Sequence, residues 1–208
     1  MIHDKDRAHW FGASDARYIF GKETNKSWQN WWNIKCGLCE DTFQGNIYTK
    51  AGNTWEHSIL NSVGAKTWDR QILIPRYRLR VNLDGNDYDT IYEVKTYQIH
   101  KGFEITDGYY NQCQIQMFAW NEERFNLFTE KQPTLKKKNP YIGKMYLVSY
   151  GLYPDEYYGE YSKEDIENGL LKVDTKRLKV DIINYHGGHK IRRKLRKLSQ
   201  RLVLEEIR

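Results

Sequence analysis

Glu93 and Lys95 stand two residues apart in LDGNDYDTIYEVKTYQ, residues 83–98, with Asp84 a short distance upstream. The run from Thr90 to Gln98 is rich in β-branched and aromatic residues and reads as a strand. A strand has period two, so Glu93 and Lys95 share one face while Tyr92, Val94 and Thr96 occupy the other. Asp84-Gly85-Asn86-Asp87 reads as a turn, which sets Asp84 at its mouth, on the end of the neighbouring strand or just past it. Two carboxylates converging beside an ammonium are costly unless something neutralises them. A hard divalent cation does so, because Mg2+ takes carboxylate oxygens and keeps several waters. The lysine is then placed to orient or deprotonate an attacking water, or to stabilise a pentacovalent phosphate. This chemistry suits phosphodiester hydrolysis. Glu-x-Lys alone carries little weight, since chance supplies it in a chain of this length and an exposed ion pair is its ordinary reading.

The neighbouring segments must position these groups. SDARYIFGK starts a helix with Ser14 as N-cap candidate, and SWQNWWNIKCGL reads as a second helix carrying Trp28, Trp31, Trp32 and Ile34. TWEHSILNSVGAK, 54–66, predicts a helix with Trp55, Ile59, Leu60 and Val63 on its apolar side and Glu56 at the border of that side. QILIPRYRLRVNL alternates in part and reads as a strand in which Pro75 marks an edge or bulge. GYYNQCQIQMFAWNEERF, 108–125, reads as a helix on which Gln112 and Gln116 share a face with Tyr109 and Ala119, while Gln114 points elsewhere. KMYLVSYGLY, 144–153, is a further strand. From about residue 163 the chain reads as helical and increasingly basic, with Ile191, Leu195, Leu198 and Leu202 forming an apolar stripe. That stripe can dock on the domain or on a partner subunit, and the flanking Arg192, Arg193, Lys194, Arg196, Lys197 and Arg201 can track a DNA backbone. Lys136, Lys137 and Lys138 add positive charge in a loop. The order of elements predicts an α/β fold, a mixed central sheet flanked by helices, with a core domain over 1–162 and a basic C-terminal helical extension over 163–208 packed on the same domain.

The 208 residues are enough for one ordinary domain with a sizeable core. Thirty-three bases against 27 acids leave a net charge of +6, which permits a polyanionic partner without requiring one. No apolar run approaches the roughly 18 residues of a membrane span, and MIHDKDRAHW lacks the apolar core of a signal peptide. Three cysteines, an odd number, argue for reduced thiols, so a cytoplasmic protein with no membrane partner is expected. Cys36-Gly-Leu-Cys39 reads as ordinary thiols near a turn, and His186-Gly-Gly-His189 as a turn between helices.

The 83–98 stretch resembles the PD-(D/E)xK nuclease core, with Asp84 as first acid, Glu93 as second and Lys95 as the lysine; Leu83 stands where that core usually has proline. Three flanking segments, in order, sharpen the resemblance to the lambda-exonuclease-like, or YqaJ-type viral recombinase, family. RAHWFGASDA, 7–16, is similar to the segment that binds a DNA 5′-phosphate, which implies Arg7 and Ser14 in that role. AGNTWEHSIL, 51–60, is similar to the Gly-x-x-x-Glu helix, which implies Glu56 as a metal ligand. YYNQCQIQM, 109–117, is similar to the Tyr-x-x-Gln-x-Gln helix, which implies Gln112 at the active site.

The resemblance further implies a metal site of Glu56, Asp84, Glu93 and the Val94 carbonyl for Mg2+, or Mn2+ in its place. It implies a restriction-endonuclease-like core and a 5′→3′ exonuclease acting on double-stranded DNA ends, with Lys95 and Gln112 activating the water. Its product would be 3′ tails for a single-strand annealing recombinase. A trimeric ring, a phage or prophage origin and a bacterial host cytoplasm come from the same likeness. Some relatives hold an iron–sulfur cluster on four cysteines; with three here, no such single-chain cluster is expected, though a transient disulfide stays open. An endonuclease or structure-specific resolvase on the same core stays open, as does a non-catalytic DNA-binding module.

Overall fold

Residues 67–98 make three strands where the sequence reads as two. The structure, a computed structural model, describes residues 8–207 apart from 43–44, 132–140, 160, 163, 166–167 and 170–171. β1 (Thr67–Ile74) and β2 (Leu79–Asn86) pair antiparallel, and β3 (Ile91–Gln98) follows. Pro75 does not sit at a bulge. Its fixed φ and missing N–H open a 3-10 turn over Pro75–Tyr77, which Arg78 closes in the left-handed region at φ 49°. Asp84 and Gly85, read as a turn, are paired strand residues or their neighbours, and the reversal falls after Asn86.

β4 (Lys144–Leu152) and β5 (Leu178–Asn184) complete a sheet in the order β1-β2-β3-β4-β5. Only β3 and β4 run parallel, joined by the crossover that a parallel pair requires. β5 is a departure from the helical reading of the tail. In LKVDIIN the β-branched Val180, Ile182 and Ile183 prefer a pleated edge to a helix, whatever the basic residues further on suggest.

Six α-helices flank the sheet among the described residues: α1 (Ala16–Ile19), α2 (Lys26–Lys35), α3 (Ile47–Ser62), α4 (Asp107–Lys131), α5 (Pro154–Tyr158) and α6 (Gly188–Glu206). The period of two sorts the strands between two cores. Leu83, Ile91 and Leu147 face α4, α6 and the α2 tryptophans, while Tyr92, Val94 and Val148 face Trp55, Ile59 and Leu60 of α3. α3 presses closely on β2. A Cβ on Gly85 would come within 2.5 Å of the buried Leu60 side chain, so only glycine lets the helix lie there.

The β2–β3 ladder holds only at Gly85↔Tyr92 and Asn86↔Ile91, and beyond it the strands splay. The exposed edge of β2 is taken by the N-terminal segment. Phe11 N–H donates to the Arg78 carbonyl (2.7 Å) and Arg80 N–H to the Phe11 carbonyl (2.8 Å), while Leu79 pairs with Ile74 on its other side. Phe11 is fully buried against Trp31 and Trp32, which fixes residues 10–15 at the splay. Backbone groups that would otherwise go unpaired are thus satisfied, and the mouth between β2 and β3 acquires a wall.

The apolar stripe of α6 is used within the chain. Ile191, Leu195, Leu198 and Leu202 are buried against α1, α4 and the Pro75 turn, and Lys190, Arg193, Arg196 and Lys197 face outward. The His186–His189 turn joins a strand to a helix, with Gly187 supplying the left-handed backbone (φ 77°) at the start of α6.

Candidate active site

A cleft of about 600 Å³ opens where β2 and β3 splay. Its walls are residues 10–15, α3, the β2 face carrying Arg80, Asn82 and Asp84, the β3 face carrying Glu93 and Lys95, and the first turns of α4. The structure brings Ser14, Glu56, Asp84, Glu93, Val94, Lys95 and Gln112 together in this one cleft. Arg7 lies outside the described residues.

Glu93 is the hub, with 1% of its surface exposed. Its Oε1 accepts from the Lys95 ammonium and from Gln112 Nε2 (2.5 Å), and its Oε2 accepts from Gln116 Nε2. The two glutamines reach it together because they sit one turn apart on α4. Gln114 points elsewhere. It clamps the turn after β5, donating to the Asn184 carbonyl (2.7 Å) and accepting from His186 N–H (2.7 Å). Gln116 carried no assigned role in the sequence, although its spacing from Gln112 gave the signal.

Asp84 reaches across the splay to accept the Val94 N–H at 2.8 Å. Its carboxyl is pushed well above the usual carboxylate range, first by burial, then by Glu93 and Glu56; Lys95 and the Val94 N–H pull the other way without prevailing. Burial pulls the Lys95 ammonium down, but Glu93 and Asp84 outweigh it and hold the group firmly protonated. Lys95 also lies over the Tyr109 ring, 5.4 Å from its centroid. This lysine is a charged donor in the resting site.

Three carboxylates on three elements offer hard oxygen donors, and ionised Asp84 is disfavoured until positive charge arrives, so the donor set fits a divalent cation. The carboxylates are not yet gathered round one point. Among the described residues, the ligand atoms within 4.8 Å of one another belong to Glu56, His57 and Asp69. His57 Nε2 and Asp69 Oδ2 are 3.0 Å apart, and the Trp68 ring covers the imidazole at 4.6 Å. Glu56 thus stands between the cleft and this pair. Nothing in the sequence linked Asp69, on β1, to α3; the contact exists only once the hairpin folds back.

Ser14 is exposed on the cleft wall and is not a helix N-cap. It sits inside the 3-10 turn Ala13–Asp15, and Asp15 takes the capping part by accepting the Gly12 N–H at 2.7 Å. Asp15 also accepts from Trp31 Nε1 (2.9 Å) and pairs with the buried Lys35 ammonium (2.8 Å). The tryptophan helix therefore anchors the turn that presents Ser14. Cys113 is buried on α4, where burial and then Glu93 push its thiol up; Cys36 is half-buried and Cys39 exposed.

No family model and no curated protein sequence matches the chain. Solved structures do. An alkaline exonuclease from Laribacter hongkongensis aligns with TM-score 0.62 and 16% identity over 96% of this chain and 91% of that one. The same enzyme in complex with dAMP aligns with TM-score 0.61 and 16% identity over the same shares. A phage-related exonuclease from Haemophilus somnus aligns with TM-score 0.58 and 14% identity over 95% and 93%. The fold of this chain is that of these exonucleases, and the resemblance to the lambda-exonuclease-like family holds at the level of the fold.

Proposed function

We propose that this chain is a divalent-metal-dependent deoxyribonuclease, a 5′→3′ exonuclease on linear double-stranded DNA that leaves 3′ single-stranded tails. One observation carries the reading: Glu56, Asp84 and Glu93 share a cleft with the Lys95 ammonium, and Asp84 resists ionisation there. The shared exonuclease fold supports it, and one of those neighbours is solved with a deoxynucleoside monophosphate.

Glu56, Asp84, Glu93 and the Val94 carbonyl would hold Mg2+, or Mn2+. When bound, the ion supplies a Lewis acid for the phosphoryl oxygens and a more acidic water. Lys95, held protonated by its neighbours, orients the attacking water and stabilises charge on the phosphate. Gln112 fixes Glu93 and faces the cleft beside it. Gln116, from the buried side, sets the second Glu93 oxygen. Ser14 with Arg7 would hold the 5′-phosphate and so set polarity. A homo-oligomeric ring and a single-strand annealing partner complete the reading, for a phage-type recombination role in a bacterial cytoplasm. No helix among the described residues is long and apolar enough to cross a membrane.

The test uses purified protein with Mg2+ on linear duplexes, with and without 5′-phosphates, beside a covalently closed circle. Digestion of the linear DNA alone, faster from phosphorylated ends and abolished by EDTA, is the expected result. Cutting of the circle would replace the exonuclease with an endonuclease, and no metal-dependent cutting of either would leave a DNA-binding module.

A further inference from the structure

Two shallow grooves leave the cleft and meet at one tyrosine. Tyr48 lines the cleft and the first groove, beside His100 and Lys101. Thr49 and Asn53 line the cleft and the second groove, beside Lys50. Tyr158 lines both grooves. Neither groove has a carboxylate in its lining, so each presents positive or neutral groups beside an aromatic ring.

The two rings are unlike two of the other exposed tyrosines. Tyr88 and Tyr153 are each covered by an arginine, Arg124 and Arg177, about ring-stacking distance away at 4.9 and 5.0 Å. Tyr158 is 62% exposed and has no ring or cation partner among the described residues. Tyr48 is 47% exposed yet held in place. Its ring packs edge-to-face with Tyr157, centroids 5.4 Å apart, and its hydroxyl accepts from Gln98 Nε2 at 3.3 Å. A rigid ring with one free face at the mouth of a phosphate-handling cleft suits a flat aromatic ligand, and a base is one.

We infer that Tyr48 and Tyr158 form a stacking platform for an unpaired DNA strand, with Lys50, His100 and Lys101 matching its phosphates. The inference rests on the nuclease reading and deepens it. A cleft of about 600 Å³ has the size that encloses a single small ligand. On this reading the strand to be cut leaves the duplex before its phosphate reaches Glu93 and Lys95. Bases freed in that step need a surface that takes any sequence, and stacking on tyrosine does so, because every base has a π-face.

The experiment measures fluorescence anisotropy in EDTA with three labelled probes: oligo-dT, an abasic strand of equal length, and a blunt hairpin duplex. Wild type is expected to prefer oligo-dT to the abasic strand. Tyr48→Ala and Tyr158→Ala are each expected to weaken oligo-dT binding by about 5- to 100-fold and to erase the preference over the abasic strand. Tyr158→Phe, which keeps the ring, stays within about twofold of wild type, as does every variant on the duplex. Equal binding of base-bearing and abasic strands by wild type would overturn the inference. So would alanine variants that keep the preference, or that lose duplex and single-strand binding in equal measure. Digestion of linear DNA in Mg2+ runs alongside. If wild type digests DNA while the platform test fails, only the platform is wrong; if it neither binds nor digests DNA, the nuclease reading falls with it.

Discussion

Two charge clusters border the same cleft, and they are built on opposite plans. Asp15 and Lys35 are one of each sign, paired at 2.8 Å, and the remaining Asp15 oxygen is taken by Trp31. Every charge there has its answer within the chain. Asp84 and Glu93 instead press on one ammonium, Lys95, with Glu56 adding negative charge beside Asp84, and Asp84 is the member left hard to ionise. The first cluster holds a wall; the second is incomplete without a ligand. A buried pair that closes on itself is a structural device, whereas a like-charged group kept together at a cost marks a site.

The comparison is easiest to break through activity. Glu93→Gln or Lys95→Ala is expected to lower the rate on linear DNA by about 1,000-fold, while thermal unfolding shows the fold retained. Loss of activity only in step with loss of the folded state would make the Glu93 cluster structural, like its neighbour. Asp15→Ala should do the converse. It removes the carboxylate paired with the buried Lys35 ammonium, at an expected cost of about 3–5 kcal/mol, or roughly 10 °C in Tm. A shift under about 2 °C would show that Lys35 is well served without Asp15.

Asp84→Asn sharpens the contrast because it should raise stability while abolishing cutting. A carboxyl whose folded pKa lies above its unfolded one contributes stability below the unfolded value and loses it as pH rises through the folded value. At neutral pH, without metal, the raised Asp84 carboxyl therefore works against the fold. The variant should melt a few degrees above wild type in EDTA near neutral pH, and the gap should close as pH falls through the carboxylate range. The smallest effect is expected at the solvated extreme. Arg193→Gln with Arg196→Gln, on the exposed face of α6, should leave cutting intact and reduce the salt dependence of duplex binding by about two phosphate contacts.

These contrasts were only partly legible in the sequence. Glu93 and Lys95 on one strand face, Gln112 and Gln116 on one helix face, and the buried stripe from Ile191 to Leu202 all followed from periods of 2 and 3.6, which are local. What failed was non-local or competitive. β5 was hidden by the basic residues after it, although Val180, Ile182 and Ile183 favour a strand. The hairpin at Pro75 and the start of the reversal only after Asn86 depended on where pairing stops, which no spacing reveals. Ser14 looked like an N-cap until Asp15 proved to hold that turn. Lys35 and Asp69 reach the site's surroundings only through tertiary packing, so neither had a signature of its own.

The central claim is that the acidic cluster is completed by a divalent cation. The direct measurement is the Tm of wild type and Asp84→Asn across a Mg2+ titration starting from EDTA. At a hundredfold excess over Kd a single bound ion stabilises the fold by about 2.7 kcal/mol, so wild type should rise by several degrees, reaching or passing the variant, while Asp84→Asn barely moves. A wild-type Tm that ignores Mg2+, or a variant that rises equally, would contradict the account.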